Sequence, residues 1–171
     1  MARQLAAFLL VSLAGVAQAE EIPATFIENP LIDYAAFQSG VERVGLLREK
    51  LRLTELEFLL MSGDPSTVIL DARSAEKFGL LHVKGAKNLS LPDITEEELA
   101  KIIPGKSTRI LIYCNNNFLN EARAFPAKNF SASLNVYTMN ALFAYGYTNV
   151  YELGPLIDIH KSIIPFERSG T

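Results

Sequence analysis

The chain has 171 residues, with 16 Lys and Arg against 19 Asp and Glu, a net charge of −3 at pH 7, and one cysteine. A mildly acidic chain with no basic cluster is a poor partner for nucleic acid, which is bound through Lys- and Arg-rich surface. A lone cysteine excludes an internal disulfide, so the fold rests on an apolar core.

The N-terminus has the order of a secretory signal peptide. Arg3 is followed by an apolar run from Leu5 to Val16 and by Ala17-Gln18-Ala19, with a cut expected after Ala19. The run is shorter than the roughly 18–20 residues that span a bilayer. The competing reading, an uncleaved anchor, is disfavoured by the small-residue site and by Glu20-Glu21 after it. Loss of Arg3 takes the net charge from −3 to −4. The expected location is the periplasm of a bacterium or the outside of the cell, with no membrane contact after cleavage.

From Asn29-Pro30, a turn, the chain enters a stripe of Tyr34, Phe37, Val41, Val44, Leu47 and Leu51 at steps of three and four. That spacing predicts an amphipathic helix over 33–50. Thr54 with Glu57 three residues on predicts a capping box and a second helix, ended by Ser62-Gly63-Asp64-Pro65. Thr67-Val68-Ile69-Leu70 is a continuous apolar run, the pattern of a parallel strand covered on both faces. A short helix from Ser74 and a short strand from Ala86 to Leu91 follow. Thr95 opens a helix with Glu98 three residues on, and Glu96, Glu97 and Glu98 complement its dipole. Arg109 to Tyr113 is the second buried strand. A helix marked by Leu134, Val136, Met139, Leu142 and Phe143 stops at Gly146, and Asn149 to Leu153 is a last strand. Pro155 to Ser162 is expected to cover one side, and the remaining residues to fray. Alternating strand and helix give an α/β class with a mostly parallel sheet.

Cys114 stands at the carboxyl end of the strand Arg109–Tyr113. Open α/β sheets bind ligands there, and the N-terminus of a following helix favours an anion. The thiolate is the reactive form of cysteine, and such a place favours it. Asn115, Asn116 and Asn117 tolerate left-handed backbone, so successive N–H groups are expected to turn inward as an anion nest. A buried structural cysteine fits the same pattern, and the residues alone leave both readings open.

The blocks VILDARSAEKF, HVKGAKNLSL, ILIYC and ALFAYGYTNVYEL, in that order, resemble a rhodanese domain from about Leu53 to Leu153. Asp71, Arg73, His82, Gly85, Ala86, Cys114, Gly146 and Tyr147 fall in the family's motif places. The resemblance implies a three-layer sandwich, a mostly parallel central sheet flanked by helices. With the N-terminal pattern and the helix before it, the expected division is a signal peptide (1–19), a helical extension (20–50), the domain (51–156) and a C-terminal segment (157–171). The resemblance also implies that Cys114 takes sulfur from a small donor such as thiosulfate and passes it, as a persulfide, to a thiophilic or protein acceptor. Backbone N–H groups of Asn115, Asn116, Asn117, Phe118 and Leu119 would then hold the thiolate and the persulfide. No metal and no organic cofactor is implied.

Two features depart from the family pattern. Leu134 stands where an active-site arginine is usual, and the loop 115–132 is long for its type. Phe118, Leu119, Phe125, Pro126 and Phe130 make that loop apolar, which predicts an ordered flap at the cysteine. Arg123 or Lys128 is a candidate replacement for the missing charge, against the commoner fate of a solvated base. Glu121 would oppose an anion. His82 is expected to be structural rather than the base of a Cys114/His82 dyad, and Arg73 to pair with Asp71. The alternative function is an inactive binding module that recognises a partner through 115–132. A cysteine phosphatase or arsenate reductase ranks last, because the cradle arginine is missing.

Overall fold

A computed structural model describes residues 29–169. The expected signal peptide and residues 20–28 of the extension lie outside the described residues. The chain divides after Ile32 into two compact units. In the first only residues 29–32 are described, a turn in which the Ile32 N–H donates to the Asn29 carbonyl at 3.1 Å. All that follows concerns the second unit.

Helix α1 (Tyr34–Leu51) is capped by the Asp33 side chain and carries Arg48 and Lys50 in its last turn. It leads without a loop into β1 (Arg52–Leu53). Helix α2 (Glu55–Ser62) has the complete capping box, Thr54 with Glu57, an arrangement whose loss costs about 0.5–2 kcal/mol. Then come β2 (Thr67–Asp71), α3 (Ala75–Leu80), β3 (His82–Val83), β4 (Lys87–Asn88), α4 (Glu96–Ile102) and β5 (Arg109–Tyr113). The flap contains β6 (Phe118–Leu119) between two 3-10 turns. After it stand α5 (Leu134–Ala144), β7 (Val150–Leu153), β8 (Ile157–Asp158) and β9 (Phe166–Glu167). Gly146, at φ +82, closes α5: the Tyr147 N–H returns to the Leu142 carbonyl and the Gly146 N–H to Phe143.

The main sheet runs β1-β7-β5-β2-β4, and every pairing in it is parallel. Strand alternation splits its side chains between two cores. Ile110 and Ile112 face α1, α4 and α5 with Val44, Leu99, Met139 and Leu142. Leu111 and Tyr113 face Phe58 of α2, the flap residues Phe118 and Phe125, and Ile164. Ile110, Leu111 and Ile112 are wholly buried, as a strand covered on both faces requires. The fold is thus an α/β sandwich of helix, sheet and helix, and Cys114 leaves its central strand.

Three expectations need correction. The strand Ala86–Leu91 shrinks to Lys87–Asn88, because Leu91, Pro92 and Asp93 turn into a 3-10 helix. Among the described residues the C-terminal segment does not fray. β9 pairs antiparallel with β3, and the Phe166 ring packs edge-on against Phe118 at 5.1 Å. Helix α1 docks on α5 and β7, but the early part of its expected apolar stripe is not buried. Val44 is buried, whereas Tyr34 stays 82% exposed and Phe37 49%.

Candidate active site

Cys114 is 1% exposed and directly follows β5. Its N–H donates to Asn117 Oδ1 at 2.9 Å, and its Sγ lies 3.4 Å from Ser133 Oγ. Ser133 is the N-cap of α5, yet its hydroxyl makes no capping bond. An N-cap hydroxyl ordinarily accepts from the helix backbone; here it faces the sulfur. The thiol therefore sits beside a helix start and a hydroxyl able to donate to it.

The three asparagines do not form a left-handed nest. Asn115–Asn117 is a 3-10 turn, and among the described residues the one non-glycine with positive φ is Asn120, at 68°. The side chains of Asn116 and Asn117 act as struts instead. Asn117 is buried; its Nδ2 donates to Leu153 O at 2.7 Å and to Pro155 O at 3.3 Å, and its Oδ1 also accepts from Asn135 Nδ2. It ties the cysteine loop to the end of β7 and to the first turn of α5. Asn116 pairs both backbone groups of Lys128, at 2.8 and 3.0 Å, and so pins the return limb of the flap. Asn115 is buried with its Oδ1 unpartnered.

The rest of the flap is part of the core. Phe118 is buried against Phe125, ring centroids 4.7 Å apart, and β6 pairs in parallel with β8. Leu119 is exposed, and so are Arg123, Lys128 and Phe130. Beneath the flap lies the Asp71–Arg73 pair, both side chains fully buried. Arg73 Nη2 reaches Asp71 Oδ2 at 2.6 Å and Leu81 O at 2.8 Å, and Nη1 reaches Ala124 O at 2.8 Å. Its guanidinium also lies 4.1 Å from the Phe125 ring centre. Tyr113 donates its hydroxyl to Asp71 and accepts from the Val83 N–H. Burial first, then the Asp71 carboxylate, pushes that phenol well above its ordinary range, so it remains a donor. His82 is occupied too: Nδ1 donates to Phe78 O at 2.8 Å, its ring stacks on Phe78, and Nε2 lies 3.4 Å from Glu167.

Cys114 opens into a cavity of about 380 Å³ that it shares with Asn116, Asn117, Phe130, Ser133 and Asn135. Its charged walls are Arg48, Arg52 and Glu152. Glu152, on β7, is buried, and it takes Arg48 Nε at 2.6 Å and Arg52 Nε at 3.4 Å. Arg52 also donates to Gly154 O at 2.8 Å. The sequence points to a cation in the flap, Arg123 or Lys128. Arg123 is exposed with no partner among the described residues, and Lys128 lines a different cavity, with Arg73, Lys77 and Asn115. The cations at the cysteine come from the end of α1 and from β1, roughly 60 residues earlier in the chain, and the basic last turn of α1 was the available signal. Among the described residues no group of three or more His, Cys, Asp or Glu is placed to hold a metal, and no helix is long and apolar enough to cross a membrane.

No curated protein matches the chain. Among solved structures, a rhodanese with anions from E. coli is 23% identical, covering 60% of this chain and 99% of its own, at a TM-score of 0.42. The Alr3790 protein from Anabaena sp. is 20% identical over 70% of this chain and 94% of its own, at 0.49. A persulfide form of EanB with ergothioneine is 20% identical over 68% of this chain and 28% of its own, at 0.48. Residues 54–154 match the Rhodanese-like domain family. With that match spanning most of the chain, this protein belongs to the rhodanese-like family.

Proposed function

We propose that the protein is an exported sulfurtransferase or sulfur carrier that works through a persulfide on Cys114. The observation that carries this reading is the place of its single thiol. Cys114 ends the central strand of a rhodanese-like domain, beside Ser133 at the start of α5, and opens into a cavity walled by two arginines. The thiolate attacks the outer sulfur of a donor such as thiosulfate. A new S–S bond forms, the donor's S–S bond breaks, and sulfite leaves with the electron pair. Transfer to a thiophile then restores the thiolate. Ser133 is positioned to donate to the anionic sulfur in both states. Export is supported by the pattern of residues 1–19, with a mature chain starting at Glu20.

Thiocyanate formation from thiosulfate and cyanide tests this reading. The wild-type chain should turn over, and Cys114→Ser, equally folded by circular dichroism, should not. Equal rates in the two proteins would exclude a persulfide on Cys114. The flap also offers Leu119 and Phe130 as exposed apolar side chains, which keeps the partner-binding module as the second reading. That reading predicts no turnover and binding that survives Cys114→Ser.

A further inference from the structure

The cavity at Cys114 holds three charged side chains, two arginines and one carboxylate. Arg48 and Arg52 are held from behind: Glu152 takes both Nε atoms, and Gly154 O takes Arg52 Nη2. The side chain of Glu152 is 3% exposed, against 42% and 38% for the arginines. Both Nη atoms of Arg48 and Nη1 of Arg52 make no hydrogen bond among the described residues. Two guanidinium groups are thus fixed in orientation, carry a net positive charge with Glu152, and keep free donors at the mouth of the thiol. Planar guanidinium donors suit sulfonate and carboxylate oxygens.

We propose that Arg48 and Arg52 receive the anionic head of the sulfur donor, so that the end of α1 and the start of β1 set donor specificity at Cys114. The proposal rests on the sulfur-transfer reading above. Donor orientation needs a cation near the sulfur, and the flap supplies none to this cavity. As sulfite departs, charge builds on its oxygens, where fixed donors act most strongly. The cavity exceeds a bare oxyanion in volume, so thiosulfate and larger organic thiosulfonates share the chemistry it accepts.

The test compares wild type, Arg48→Gln/Arg52→Gln and Glu152→Gln in two assays. The first measures Cys114 modification by an anionic (2-sulfonatoethyl) and a neutral (methyl) methanethiosulfonate. In each case the thiolate forms a disulfide and methanesulfinate leaves, so no sulfur transfer is needed. The anionic-to-neutral rate ratio should fall about three- to ten-fold in the double variant, the effect of partly screened charges, and rise in Glu152→Gln. The second measures sulfur loading. Loading from thiosulfate should fall about tenfold in the double variant, and loading from hydrogen disulfide, which has no oxyanion head, should change less than about twofold. If the double variant does not fold, the opposite-sign change in Glu152→Gln decides. Normal loading with an unchanged ratio overturns the arginine role alone. A wild-type chain that accepts sulfur from neither donor overturns the sulfur-transfer reading, and the donor role with it.

Discussion

Two arginine–carboxylate clusters flank Cys114, and they differ in what their donors do. In the Asp71–Arg73 pair both side chains are essentially unexposed, and every nitrogen of the guanidinium meets a carboxylate oxygen or a backbone carbonyl. In the Glu152–Arg48–Arg52 cluster the carboxylate is buried but both arginines are partly open, and of their four terminal nitrogens only Arg52 Nη2 meets a protein acceptor among the described residues, Gly154 O. The first cluster is closed and holds the flap to the sheet. The second fixes its cations without using all their donors. The same chemical pair is a girder in one place and a receptor in the other, and donor occupancy separates them better than burial alone.

The sharpest way to break that contrast is to remove one partner from each cluster. Arg73→Ala leaves Asp71 buried without its charge partner and frees Ala124, and should cost about 3–5 kcal/mol in urea unfolding. A loss under about 1 kcal/mol would show that the closed cluster is not structural. Asn117→Ala comes next. It leaves the Cys114 N–H, the buried Leu153 carbonyl and the part-buried Pro155 carbonyl unmet, so stability should fall by about 1–3 kcal/mol and sulfur loading should slow. Arg48→Gln should leave stability within about 1 kcal/mol, since Arg52 still faces Glu152 and Arg48 is well exposed. Its effect should appear in thiosulfate loading instead.

The smallest effect is acid-dependent. Glu167 accepts from the Gly85 N–H at 2.8 Å, and this bond first, then His82, holds its carboxyl below the ordinary 4.5. Its folded value is depressed, so its contribution is present above pH 4.5 and is lost as pH falls through the lower folded value. Protection of the Gly85 amide against exchange, taken relative to its intrinsic rate at each pH, should therefore fall in that acid window, and Glu167→Gln should remove that change in protection.

How far the sequence could be read follows the same division. Asp71 and Arg73 are two residues apart, so their pairing was legible. So were the capping box Thr54–Glu57, the buried runs of β2 and β5, the stop at Gly146, and Cys114 at a strand end. Arg48 and Glu152 lie 104 positions apart, and the packing of α1 on β7, beside the parallel pairing of β1 with β7, brings them together. No local pattern carries that contact, so the cation was sought in Arg123 and Lys128, inside the loop nearest the thiol. The asparagines misled for a related reason. Their tolerance of left-handed backbone is a local property, whereas their side chains are claimed by distant carbonyls of Leu153, Pro155 and Lys128. Phe166 has no periodic neighbours to announce it, and it is placed by an aromatic cluster gathered from three segments.

The central claim is that Cys114 carries transferable sulfur. Intact mass of the mature chain after thiosulfate treatment, beside Cys114→Ser, tests it most directly. The account predicts a gain of one sulfur atom in the wild type, removed by cyanide, and none in the variant. A wild-type chain that stays folded and gains no sulfur, or a variant that gains as much, would contradict it.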